Sequence, residues 1–481
     1  MTISSALSNA MSGLRAAGRK SDIVSSNIAN AMTPSYGVRE VALSSSRFGG
    51  VAVDGTVRLV DPALLADKRL AEAALSNASE RADFMNRLEG LLGTPDEPGS
   101  LSARVAEFES ALITAASRPD SPERLNGVAN AAIDLSTSLV KASEGVQQAR
   151  SNADREIGVQ IDRLNGALSG VDELNDQITK TITLGGDPSA LLDNRQALVD
   201  EISLLVPVRQ VPRDNGKIAL YSTGGAILLD SSPAEIEFSA VNQVTPYMSL
   251  AGGSLSGLTI DGISVRTDSA RGALSGGSIA AQFEIRDELG TNAQTQLDAL
   301  ARDIIERFQN PAVDPTLAAG DAGLFTDSGT AFDSVAEVGI SSRISINAAV
   351  DELQGGDAWR IRDGINAPVQ GDVGDARLIQ SLSNALIDRR TPVSGDFGAG
   401  AFSAINLVSS MTSQFGAERA RAEQSLSFAS SQFDKLNQLL LSEGVDTDQE
   451  LQRLLVVEQA YAANARMIEA ADEMMQTILR I

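Results

Sequence analysis

Three carboxylates stand within five residues in Gly444-Val445-Asp446-Thr447-Asp448-Gln449-Glu450, and that spacing invites a calcium-loop reading. A helix-capping reading has the better geometry. Thr447 as N-cap with Glu450 three residues on forms a capping box, and Asp448 is favourable in the first turn of a C-terminal helix. Ser138-Leu139-Val140-Lys141 matches a fragment of a serine hydrolase signature, but its companion motifs are missing and it lies in a continuous helical pattern. Gly395 to Gly400 is glycine-rich, yet no clear strand precedes it and no phosphate-binding lysine follows, so it reads as a loop. Three amides remain. Asn27 and Asn30 stand near the end of a first helix, where they either satisfy loose carbonyls, bond across a helix interface, or sit exposed. Asn464 lies on an apolar seam, where an amide can set the register of pairing.

Composition removes most other chemistry. With no histidine and no cysteine, Ser-His-Asp and Cys-His catalysis, thiol redox work, disulfides and the usual zinc sites are excluded. No cofactor, metal or catalytic residue is expected. A net charge of -24, from 39 basic and 63 acidic residues, repels phosphate backbones and anionic lipid, so neither nucleic acid nor membrane is an expected partner. The start of the chain has no basic segment leading into a long apolar core, so no cleaved signal peptide is expected.

The elements around these residues are mostly helical. Leu7, Ala10, Leu14, Ala17, Val24 and Ile28 share one face of an N-terminal helix that should end near Ala31, before Thr33-Pro34. Leu454, Val457, Tyr461, Asn464, Ile468, Met475 and Ile478 share one face of a C-terminal helix. Neither stripe can be buried by its own helix, so these thirteen residues are the expected assembly interface, each end pairing with the other or with neighbouring copies. A lone helix pair has little core, and the ends are expected to order only on assembly.

Helical patterns are also expected over about 62–92, 100–116, 279–308, 377–391 and 403–442. Val128 to Ile178 repeats apolar residues every three or four positions, which predicts a rod of about sixty residues and about 90 Å. Val51 to Leu59, Ile344 to Ile346 and Trp359 to Ile361 are strand candidates. Beyond Pro207 the pattern changes: Asn215-Gly216 and Asp261-Gly262 each separate two short apolar runs, a strong hairpin signal. The expected fold is mainly α with an inserted β domain. Residues 1–35 and 447–481 form a terminal α-helical coiled coil. Residues 36–204 and 276–446 form an elongated helical-bundle rod with some short strands, and 205–275 form a β-rich outer domain.

Ser12-Gly13-Leu14, Asn27-Ile28-Ala29-Asn30, Thr33 and Tyr36 resemble the N-terminal signature of bacterial flagellar rod, hook and hook-associated proteins. Glu458 to Arg466 with Asp472-Glu473-Met474 resembles their C-terminal signature. Leu191-Leu192-Asp193-Asn194-Arg195, and Gly277 to Asp287 leading into Leu297 to Ala301, resemble the hook-associated branch. The resemblance implies a structural adaptor at the hook-filament junction, exported unfolded by the flagellar type III system to the exterior. It implies head-to-tail self-assembly, contact with hook protein and a second hook-associated junction protein, and an export chaperone at the C-terminal helix. A hook or filament subunit is the alternative within the family. An enzyme displayed on the axial structure would need a paired-carboxylate site in 205–275, and no tight acidic pair with a supporting motif occurs there. In one departure, Ser35 stands where the family usually has glycine before the tyrosine, which puts a left-handed turn in question unless Gly37 takes that role.

Overall fold

The computed structural model describes residues 3–47, 49–268 and 271–480. The chain begins with helix α1 (Ile3–Ala29), then a hairpin of β1 (Val38–Ser45) and β2 (Val51–Leu59). Only β2 stands out in the sequence. Its antiparallel partner β1 is paired from Val38 opposite Leu59 to Ser45 opposite Val51, with a bulge at Ala42 and Leu43. Helix α2 (Pro62–Leu92) starts where Asp61 accepts from the backbone of Ala63 and Leu64 with Pro62 in the first turn, and it stops at Gly93, whose φ of 71° no β-branched residue tolerates.

Helix α3 (Leu101–Ser117) follows, and then α4 (Pro122–Thr183), 62 residues long. The fifteen apolar positions that predict this rod are buried except for Ala149 and Leu174, which are half-buried. The sequence pattern does not separate out the next helix, α5 (Ser189–Leu205). Both expected hairpins form. Strand β3 (Val208–Pro212) pairs with β4 (Ile218–Ser222), which pairs with β5 (Ile227–Leu229), while β6 (Ile236–Glu237) pairs with β7 (Leu258–Ile260), which pairs with β8 (Ile263–Val265).

Helix α6 (Ser278–Glu284) runs through a π turn at Ile285–Leu289 into α7 (Gly290–Phe308). Strands β9 (Phe325–Asp327) and β10 (Ile344–Ile346) pair antiparallel. Trp359 to Ile361 is not a strand: a single helical turn, α8 (Arg360–Asp363), takes its place. Three residues are too few for periodicity to separate the two, and Gly364 ends the turn. Helices α9 (Arg377–Ile387), α10 (Ala404–Ser442) and α11 (Thr447–Leu479) complete the chain.

Two apolar cores share α4 as their spine. Its first half packs with α3, α7, α9 and the start of α10, around Phe108, Phe308 and Phe325, whose ring centroids lie 5.3–5.7 Å apart. Its second half packs with α5, Phe283 of α6 and the β strands, so Leu220, Leu228 and Leu258 are buried against Ile161, Leu164 and Val199. The β segment therefore shares its core with the helices beside it.

Candidate assembly interface

Helices α1 and α11 lie antiparallel. Asn27 meets Glu450, and Gly13, two heptads earlier on α1, meets Asn464, two heptads later on α11. Ala10, Ala16, Ala17, Ile23 and Val24 are buried on α1; Leu7, Leu14 and Ile28 are half-buried. On α11 the buried positions are Glu450, Val457 and Ala471, with Leu454, Asn464 and Ile468 half-buried. Small side chains thus let the two backbones approach. A Cβ added at Gly13 would come within 2.5 Å of Asn464 Oδ1, so glycine makes the room that this amide occupies. Asn464 Nδ2 in turn donates to the Ala460 carbonyl at 2.9 Å.

Asn27, with no exposed surface, joins three segments. Its Oδ1 accepts from the Tyr36 hydroxyl at 2.8 Å and from the Arg39 backbone N–H at 3.1 Å. Its Nδ2 donates to the Arg39 carbonyl at 3.0 Å and to Glu450 Oε2 at 3.2 Å. Asn30 bonds within its own helix end, its Nδ2 donating at 2.8 Å to the Ser26 carbonyl that also accepts the Asn30 backbone N–H. Glu450 also accepts from Arg453, which reaches Glu40 on β1. This corrects the capping box. Asp446 caps α11 by accepting from the N–H groups of Asp448 and Gln449, Thr447 is the first helical residue, and Glu450 is drawn inward to Asn27 rather than back to the cap.

The remaining N-terminal motif residues each have a structural task. Ser12 Oγ accepts from the Val51 N–H at 3.1 Å, docking the β1–β2 turn on α1, and donates to the Asn9 carbonyl. Ser35 has φ of 64°, so it takes the left-handed conformation itself. Gly37 has a different job: a Cβ there would lie 2.4 Å from Arg58 Nε. Sequence reasoning missed the partner of this loop. Asp193 on α5 accepts from the Gly37 N–H at 3.0 Å and pairs with Arg58 and Arg39, so the Leu191 to Arg195 segment clamps the hairpin beneath the terminal helices. Arg195 faces elsewhere, holding Asn175 on α4 and the Gly216 carbonyl of the β3–β4 turn. A charged residue inside an otherwise helical apolar pattern is the signal that could have found both.

Three expected interface residues stay exposed in this pairing. Tyr461 stands at the margin of the seam, and the register carries Met475 and Ile478 past the described start of α1 at Ile3. A second stripe accompanies them. Val456, Ala460, Ala463, Met467, Ala470, Met474 and Ile478 recur at three- or four-residue steps along α11, and all are exposed. The outer face of α1 is mostly polar by contrast, with Ser4, Ser8, Arg15, Arg19 and Asp22 exposed around a single exposed Met11. Among the described residues no cluster of acidic side chains could hold a metal ion, and no helix is long and apolar enough to cross a membrane. Ser138 donates to the Asp134 carbonyl within α4.

The family model for the helical domain of the flagellar hook-associated protein FlgK matches residues 85–323. A model for the C-terminal part of flagellar basal body rod FlgEFG proteins matches 437–481, and one for flagella basal body rod proteins matches 7–36. The flagellar hook-associated protein 1 of Bacillus subtilis is 22% identical over 94% of this chain and 93% of its own length. The chain belongs to the flagellar hook-associated protein 1 (FlgK) family. The protein of that name from Escherichia coli K12 is 26% identical over 67% of this chain and 59% of its own length. The Salmonella typhimurium protein is 28% identical over 48% and 44%, so the chain spans about half the length of these two relatives. A solved structure, the flagellar hook junction protein FlgK from Burkholderia pseudomallei, is 20% identical, with a TM-score of 0.45 over 55% of this chain and 47% of its own. The FlgK family is structural, part of the flagellar axial assembly, and not an enzyme family.

Proposed function

We propose that this chain is the adaptor subunit at the hook-filament junction. It is exported by the flagellar type III system and works outside the cell. It assembles head to tail through its terminal helices, between hook protein and a second hook-associated junction protein. An export chaperone covers the C-terminal helix beforehand. One observation carries this reading: α11 has two apolar stripes, one occupied by α1 and the other, from Val456 to Ile478, left exposed in the single chain.

The occupant of the second stripe is another copy of this chain. Two seams on one helix, only one of them filled internally, give a heterologous contact that repeats without closing and so builds a helical tube. In the free chain the terminal pair is held by few buried side chains, and we propose that it gains most of its order on assembly. The helical rod, with the 205–275 segment outermost, then joins two tubes of different mechanical character.

Deleting the gene tests the position in the axial structure. Intact hooks without filaments are expected, whereas cells lacking hooks would assign the chain to the hook.

A further inference from the structure

A cavity of about 360 Å³ lies between α2, α5, β2 and β3. In a chain where acidic residues outnumber basic ones by 63 to 39, three arginines, Arg58, Arg69 and Arg195, line it and no carboxylate does. Their neutralisation is incomplete. Asp193 is shared between Arg39 and Arg58, and Asp200 pairs with Arg69. Arg195 has no carboxylate partner among the described residues. It is only 7% exposed and uses Nη1 for both of its hydrogen bonds, to Asn175 Oδ1 and the Gly216 carbonyl, so Nε and Nη2 have no protein acceptor among the described residues and are open to solvent. Burial, with Arg58 nearby, pulls its pKa down to about 10, as expected for a guanidinium without a counterion.

Two amides add donors. Gln196 Oε1 is taken by Arg58 and Gln210 Oε1 by Arg69, and the Nε2 group of each has no protein acceptor among the described residues. A largely buried cation with unspent donors, two amide N–H groups and no carboxylate in the lining suits an anion with several oxygens, because charge-assisted hydrogen bonds to such oxygens are the strong ones.

We propose that this cavity binds a small free oxyanion, a phosphate or a carboxylate, with Arg195 supplying the charge that holds it. The site stands at the joint where α5 meets both the β1–β2 hairpin and the β3–β4 turn. A bound anion there ties the clamp beneath the terminal helices to the rod.

The test uses the full chain as a monomer, with thermal unfolding followed during titration with inorganic phosphate at constant ionic strength set by sodium chloride. The Tm is expected to rise with phosphate and not with chloride, and Arg195→Gln is expected to weaken the apparent affinity on the order of tenfold or more. Arg195 also holds Asn175 and Gly216, so a second variant keeps the test independent of that role. Gln210→Glu preserves an acceptor for Arg69 and brings a tethered carboxylate to the cavity. It is expected to raise the Tm without phosphate and to remove the phosphate response. A parallel titration with acetate separates the two sources by which anion gives the larger shift. Wild-type protein that responds to phosphate and acetate no more than to chloride overturns the proposal, and so does an anion response unchanged in Gln210→Glu.

Discussion

Asn27 and Glu450, 423 residues apart in sequence, share a buried hydrogen bond of 3.2 Å from the asparagine amide to the glutamate carboxylate. The same amide holds Tyr36 and both backbone groups of Arg39. One side chain therefore fixes the end of α1, the loop after it, the first strand and the start of α11. Replacing it with alanine removes the donor to Glu450 Oε2, leaving that carboxylate only Arg453, and takes the side-chain partner from both Arg39 backbone groups. Asn27→Ala is expected to destabilise the paired termini by about 1–3 kcal/mol. Urea unfolding and limited proteolysis of 447–479, both on the assembled chain, check it; a change within about 0.5 kcal/mol, the range of ordinary surface substitutions, would contradict the bridging role.

Gly13 and Asn464 form a steric pair. Gly13→Ala gains helix propensity of about 1 kcal/mol but drives its methyl into the Asn464 amide. The single variant is expected to be less stable than the parent, and the double variant with Asn464→Ala to recover the loss. A double-mutant cycle should give a coupling of about 0.5–3 kcal/mol, and additive effects would show that the two do not touch.

Ser35 occupies a left-handed backbone conformation, with its hydroxyl donating to Asp200. Ser35→Val should cost about 1–2 kcal/mol, because a β-branched side chain clashes there, while Ser35→Gly should cost nothing measurable. Thermal unfolding of the two variants side by side decides it.

Glu80 gives a pH dependence. Burial, with Asp83 and Glu156 nearby, raises its pKa above the ordinary value near 4.5, against the lowering effect of the hydrogen bond from Gln282. The folded chain thus binds this proton more tightly than the unfolded one. Above the raised pKa the buried charge opposes folding. As pH falls through that pKa toward 4.5 the folded state takes up the proton first, and the unfavourable contribution disappears. Glu80→Gln is expected to stabilise the chain at neutral pH, with the gain shrinking through that window and gone below it. Denaturant midpoints measured from pH 7 to pH 4 check the sign.

The parts legible in the sequence were those governed by local periodicity. Val128 to Ile178 declares a rod, and Asn215-Gly216 and Asp261-Gly262 declare hairpins, because an amphipathic repeat or a left-handed turn needs only its own neighbours. The face of α1 around Ala10, Ala17 and Val24 was legible for the same reason. What escaped depends on contacts distant in sequence. Glu450 has the spacing of a capping residue, and only the fold brings Asn27 close enough to claim it, leaving Asp446 to cap. Asp193 sits in a recognisable segment, but nothing local says that it serves Gly37, Arg39 and Arg58. Tyr461, Met475 and Ile478 follow the seam by periodicity, yet where α1 begins against α11 decides which of them it covers.

The central claim is that α11 has two seams, one internal and one for a neighbouring copy. The chain contains no cysteine, so a single Met467→Cys on the second stripe is a unique reporter, with Ile113→Cys on the exposed face of α3 as control. Maleimide labelling rates are measured on the free chain and on the chain assembled in purified flagella. The account predicts that Met467→Cys labels readily when free and is protected on assembly while the control keeps its rate; equal labelling of Met467→Cys in both states would contradict it.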